Sequence, residues 1–308
     1  LKAPRVQMSP RPLPVEPALI DMVVSLRRII SIFGLLSIAF FGTSCVVMPA
    51  NTHWDQKRSL AKYDSIGIDA PVRLPELDNQ SDSGFSAADY LTLHSGLIVS
   101  GEYIDEEFKE KLATSRDSQS GVLELGFSVP IAKGGSGFGS CAPISSDGYF
   151  LTAAHVLAHE ESFVLYATSN SRKTYIDYAP VRVVYRNDEA DFAIVKARLS
   201  TPRYLKYRRD PLTTESTLFA GGWMHEKGGG LFLEEQPLPG QKGFQKIVTT
   251  LPMIKGDSGS PLIDQKGRIC GVLSTMRLGV IIKMKPKSTA VMLDPSRIDS
   301  IIRRDRGR

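Results

Sequence analysis

The hexapeptide Gly256-Asp257-Ser258-Gly259-Ser260-Pro261 holds a serine in a glycine frame, a setting that suits a tight turn with accessible backbone. Two residues upstream stand at comparable edges. His155 follows the run Leu151-Thr152-Ala153-Ala154, and Asp191 opens the run Phe192-Ala193-Ile194-Val195. If the three act together, the chain has to return to one place from three distant positions. That demand constrains the fold more than any other feature here.

The residue types suit one another chemically. A serine hydroxyl is a poor nucleophile at neutral pH and needs a base to take its proton. Histidine titrates near pH ~6.5 and can do that work. A carboxylate on the far side of the ring fixes the tautomer and stabilises the imidazolium. Glycines beside the serine let backbone N–H groups point at a developing oxyanion. Losing one such donor costs about 3 kcal/mol of transition-state stabilisation.

Each position has rivals. Asp188 and Glu189 are carboxylates near Asp191, but they belong to the polar turn from Arg186 to Glu189. Ser260 is a second hydroxyl, yet only Ser258 is framed as Gly-Asp-Ser-Gly. His155 and His159 are four apart, a spacing that puts two ligands on one helix face. The zinc-hydrolase pattern needs a glutamate after the first histidine, and Val156 stands there. With no other ligand cluster at metal spacing, no metal and no cofactor are expected. His159 reads as a surface residue, and His53, His94 and His225 have no evident partners.

Composition bounds the class. A chain of 308 residues with 42% hydrophobic and 23% charged residues is ordinary for globular protein. The net charge of +5 owes much to Arg27, Arg28, Arg303, Arg304, Arg306 and Arg308 near the ends. Without interleaved aromatics this is no nucleic-acid footprint, and solvated surface charge is the expectation. From Met22 a basic region ends at Arg27-Arg28, followed by an apolar stretch, Ile29 to Phe41, and then Gly42-Thr43-Ser44-Cys45. The stretch is shorter than the roughly 20 residues of a membrane span and has the layout of an export signal. The cysteine after small residues is similar to a bacterial lipoprotein signal, which implies lipidation at Cys45 and a membrane anchor. Cleavage and release, or a retained anchor, are the alternatives. The localisation expected is therefore exported: an envelope lipoprotein, or periplasmic or secreted. Residues 1–21, ahead of Met22, carry no fold information. Cys141 and Cys270 remain, either paired or as separate buried thiols, the latter favoured.

Three regions follow: 1–45 as extension and signal, 46–120 as a tether or poorly defined region, and 121–308 as the folded domain. A short helix is expected over about 105–115. From Val122 the texture becomes short β-branched and aromatic runs between Gly, Pro and polar turns, which argues an all-β barrel or sandwich. The runs are Val122–Val129, Gly137–Ile144, Tyr149–Thr152, Phe163–Ala167, Val181–Tyr185, Phe192–Lys196, Thr217–Ala220, Ile247–Leu251, Pro261–Ile263, Ile269–Ser274 and Ala290–Met292. Gly228-Gly229-Gly230 reads as a mobile loop. Ile298, Ile301 and Ile302 at helical spacing predict a closing C-terminal helix.

The words LTAAHV, DFAIV and GDSGSP resemble the histidine, aspartate and serine motifs of trypsin/chymotrypsin-like serine peptidases, and the order His, Asp, Ser is that family's order. Gly135-Ser136-Gly137-Phe138-Gly139 and Asp147-Gly148-Tyr149-Phe150 add a fourth likeness, to the compact bacterial members. The resemblance covers about 122–303. It implies two antiparallel six-stranded β-barrels with a short C-terminal helix, His155 as base, Asp191 as its orienter, and Ser258 as nucleophile. The N–H groups of Gly256 and Ser258 would form the oxyanion hole. The first barrel would carry His155 and Asp191, and the second Ser258.

Two departures matter. No apolar new N-terminus is evident between Gly101 and Gly135 to pair with Asp257, so activation by cleavage is not implied. The primary-pocket floor falls on Pro252, and the wall on Ser274-Thr275-Met276. Together they imply a shallow apolar pocket for small or aliphatic side chains. The function expected is an exported serine endopeptidase acting on protein or peptide substrates through an acyl-enzyme. The alternative is an inactive binding module of the same fold at the cell surface. A viral polyprotein protease fits less well with the export signal.

Overall fold

The computed structural model describes residues 51–59, 87–101, 104–110, 122–130, 138–157, 161–169, 174–214, 216–221, 229–253, 256–277 and 287–308. Residues 22–45, with the expected export signal and Cys45, lie outside these residues.

Six strands close the first barrel: β2 (Gly96–Ser100), β4 (Phe138–Pro143), β5 (Tyr149–Thr152), β6 (Ser162–Ser169), β7 (Thr174–Asn187) and β8 (Phe192–Ala197). Their order around the barrel is β2-β4-β5-β8-β7-β6, all antiparallel. The second barrel runs β10-β11-β14-β13-β12-β9, from β9 (Thr217–Ala220), β10 (Gly229–Pro237), β11 (Phe244–Thr249), β12 (Pro261–Ile263), β13 (Ile269–Arg277) and β14 (Lys287–Leu293). The all-β class, the paired barrels and the closing helix are as the sequence implied.

The continuous apolar runs are explained by burial on two faces. In β8, Ala193 and Val195 face the interior of the first barrel with Phe150 and Val164. Phe192 and Ile194 face the other way, into a cluster shared with Phe219, Phe244 and Val272 of the second barrel. The rings of Phe192 and Phe244 meet edge to face, centroids 5.5 Å apart. A strand sandwiched this way has no polar side, so period-two patterning disappears from its sequence.

Helix α2 (Pro295–Arg306) braces the two barrels. Asp294 caps it by accepting from the Ser296 N–H at 2.8 Å, and Pro295 sits at the first turn, where no N–H is needed. Ile298 and Ile302 are buried in the shared cluster, with Ile301 packed beside them. Although the helix follows β14, its end rests on the first barrel. Asp305 accepts from both Arg182 nitrogens, at 2.9 and 2.7 Å, and from the Tyr149 hydroxyl at 2.8 Å.

The region before 121 is less separate than the sequence suggested. Helix α1 (Ala87–Leu93) packs Tyr90 and Leu91 into the shared cluster, and β2 is buried at every position between β4 and β6. The folded domain therefore begins upstream of the expected boundary at 121. The physical reason is the same as for β8: Gly96-Leu97-Ile98-Val99-Ser100 is covered on both faces and carries no alternation. Conversely, β3 (Val122–Pro130) pairs with β1 (Asn51–Ser59) in a two-stranded ribbon and joins neither barrel. Of the short helix expected over 105–115, residues 106–110 are helical, with Asp105 accepting from the Phe108 N–H; 111–115 lie outside the described residues. Gly229 and Gly230 belong to β10 and not to a loop. Cys141 and Cys270 are separate buried thiols, one in each barrel interior.

Candidate active site

His155 sits in a single 3-10 turn (Ala154–Leu157) after β5, with Val156 and Leu157 buried beneath it and its own side chain exposed. Arg186 on β7 ties this turn down by donating to the Leu157 carbonyl at 2.9 Å. Asp191 closes the turn before β8. There the Asn187 side chain accepts from the Ala190 N–H at 2.9 Å, and Asp191 takes φ 52°, a left-handed conformation that aspartate tolerates better than most residues.

Asp191 and His155 are joined twice. The His155 N–H donates to Asp191 Oδ1 at 3.0 Å, and ring Nδ1 lies 2.9 Å from both carboxylate oxygens. A third donor arrives from the second barrel: the Ser274 hydroxyl, 2.5 Å from Oδ2. Burial pushes the Asp191 carboxyl up, but the bonds from the His155 ring, the Ser274 hydroxyl and the His155 N–H outweigh it and hold the group below the usual carboxylate range. The rival carboxylates are engaged elsewhere, Asp188 with Arg186 at 2.7 Å and Glu189 with the Gln241 side chain.

Ser258 is half-buried, between Gly256 at φ 96° and Gly259 at φ 85°. Strand β4 holds this loop from the first barrel. The Ser140 N–H donates to the Ser258 carbonyl at 2.7 Å, and the Ser140 hydroxyl donates to the Gly256 carbonyl at 3.0 Å. The Ser140 carbonyl in turn accepts from the Thr152 hydroxyl at 2.8 Å. A Cβ on Gly259 would lie 1.9 Å from that carbonyl oxygen and 2.4 Å from the Thr152 hydroxyl oxygen, so no other residue fits there. A Cβ on Gly139 would lie 2.5 Å from Val156 and 2.9 Å from the Ser258 carbonyl oxygen, so the histidine's turn and the serine's backbone press on the same point of β4. Among the described residues, the Ser258 hydroxyl makes no hydrogen bond to the imidazole, and the N–H groups of Gly256 and Ser258 donate to no other group. Asp257 and Ser260 are buried.

Pro252 is exposed while Met253 beside it is buried. Ser274, expected as pocket wall, turns its hydroxyl onto Asp191. Thr275 and Met276 continue β13. Sequence reasoning missed Ser140 and Thr152. Their partners are carbonyl oxygens, which leave no trace in residue type.

Residues 135–272 match the family described as trypsin-like peptidase domain. A search of curated proteins finds no match. Among solved structures, the HtrA-type protease AlgW with a decapeptide is similar at 17% identity and TM-score 0.45, with 69% of this chain and 65% of that chain covered; the likeness thus spans less than two thirds of that protein. The MamO protease domain from Magnetospirillum magneticum is similar at 16% identity and TM-score 0.44, covering 68% of this chain and 96% of that one. The Rv3671c protease from M. tuberculosis in its active form is similar at 18% identity and TM-score 0.43, covering 69% and 80%.

Proposed function

We propose that this trypsin-like peptidase is a serine endopeptidase in which Ser258 attacks the peptide carbonyl, His155 moves the proton and Asp191 orients His155. The observation that carries the reading is the doubly bonded His155–Asp191 pair beside a glycine-framed Ser258 braced from β4. With Nδ1 held by Asp191, Nε2 is the ring nitrogen left to take the Ser258 proton as the hydroxyl adds to the carbonyl. Bonds of that kind are commonly long without substrate and shorten with it. The negative oxygen that forms is received by the N–H groups of Gly256 and Ser258. His155 then returns the proton to the leaving amine, and a water repeats the sequence on the acyl-enzyme. No step calls on a metal or cofactor.

Exposed Pro252, with Thr275 and Met276 on β13, favours small or aliphatic side chains next to the cleaved bond; a strict Arg or Lys preference in a peptide-library digest would reject that part. The reading also includes export and lipidation at Cys45, supported by the basic-apolar-small layout of residues 22–45. Palmitate labelling that persists in Cys45→Ala would reject the anchor.

A fluorophosphonate probe tests the central claim. It is expected to modify Ser258 in the folded protein, and Ser258→Ala is expected to lower peptide hydrolysis by about 10⁴–10⁶. Folded wild-type protein that takes up no probe would overturn the reading.

A further inference from the structure

The geometry points to Ser140 as a positioning residue whose hydroxyl sets the backbone around the nucleophile. This rests on the serine endopeptidase reading and deepens it.

Ser140 lies on β4 of the first barrel, 116 positions from Gly256 in sequence, and is buried at 1% exposure. Its hydroxyl and its N–H reach two different peptide units of the loop, the Gly256 carbonyl at 3.0 Å and the Ser258 carbonyl at 2.7 Å. Those carbonyls flank the peptide that carries the Ser258 N–H. Holding both planes fixes the rotation of everything between them. The Gly256 side has most need of it, because a glycine at φ 96° has no Cβ to resist rotation, and turning its peptide would swing the donors away from the oxyanion.

The other end of the brace is anchored near the base. The Ser140 carbonyl accepts from Thr152, three residues before His155, and Gly259 packs directly onto that hydrogen bond. One strand therefore indexes the loop of Ser258 against the turn of His155. The bond between the Ser140 hydroxyl and the Gly256 carbonyl thus ties β4 of the first barrel to the loop that carries Ser258.

The test uses the full chain and two variants, Ser140→Ala and Ser140→Thr, with fluorescein-labelled casein as substrate and a fluorophosphonate as probe. Ser140→Ala keeps the backbone bond to Ser258 and loses the hydroxyl. Its expected effect is a fall in kcat and in phosphonylation rate of about 10- to 100-fold, short of the 10²–10³ that follows loss of a donor itself, with KM within about twofold. Ser140→Thr restores the hydroxyl and should recover most of the rate. The inference is overturned if Ser140→Ala phosphonylates at the wild-type rate, if KM rises in step with the loss of kcat, if both variants slow equally, or if Ser140→Ala fails to fold. Wild type that takes no probe defeats the endopeptidase reading instead, so the two failures are distinguishable.

Discussion

The Ser274 hydroxyl donates to Asp191 Oδ2 at 2.5 Å, joining β13 of the second barrel to the carboxylate that holds His155 in the first. The proposed base is thus oriented by both barrels. Ser274→Ala should lower kcat by about tenfold or more, the scale of one hydrogen bond to a charged group, with KM little changed. Because that bond helps hold the carboxyl down, its loss should also shift acid inactivation to higher pH, read from kcat across a pH series. Asp191→Asn removes the charge and should cost about 10⁴ in kcat.

Two glycines with similar backbone angles should respond differently to alanine. Gly259→Ala at φ 85° meets the Ser140 carbonyl and the Thr152 hydroxyl, and should destabilise the fold by more than about 2 kcal/mol while abolishing activity. Gly240→Ala at φ 74° meets nothing within 4 Å, and should cost only about 1–2 kcal/mol of left-handed strain with activity intact. Urea midpoints of the two variants, measured side by side, check the contrast.

His94 should make the fold sensitive to mild acid. Burial lowers its pKa from 6.5 to about 4, aided by the charge on Arg203, against a bond from its ring to the Tyr90 carbonyl that pulls the other way. Above pH 6.5 the ring is neutral in both states and contributes no slope. As pH falls from 6.5 towards 4, the unfolded chain gains a proton that the folded one refuses, so stability drops by up to about 1.4 kcal/mol per pH unit. Denaturant midpoints should show this decline, and His94→Gln should flatten it.

Asp305 governs a lower window. Bonds from Arg182 and the Tyr149 hydroxyl hold its carboxyl near 2, against an opposing effect of burial. Its stabilisation is complete above the ordinary 3.8 and is lost as pH falls from there towards 2. Arg182 is 58% exposed, so solvent screening limits the pair to about 1 kcal/mol. Asp305→Asn should remove that slope while leaving the His94 window unchanged.

The three chemical motifs and most barrel strands could be read from sequence because their signals are local: a glycine-framed serine, apolar runs, polar turns. The polar turn of Arg186 to Glu189 was legible for the same reason. Strand β2 was not, since five residues buried on both faces lack alternation and sit in a polar region. Val122–Pro130 has strand composition, but composition does not say which partner a strand takes, and its partner is β1. Ser274 and Ser140 act across 83 and 116 positions of chain, through a hydroxyl that any surface serine also has. Only the closure of both barrels gives those hydroxyls a meaning.

Helix α2 comes after every barrel strand in chain order, yet its last turn is fastened to β5 and β7. During synthesis the first barrel's side of this clasp therefore waits for residue 305. A nascent chain can shape its early strands long before the clasp closes. The fully braced cleft is therefore complete only once the last helix has been made.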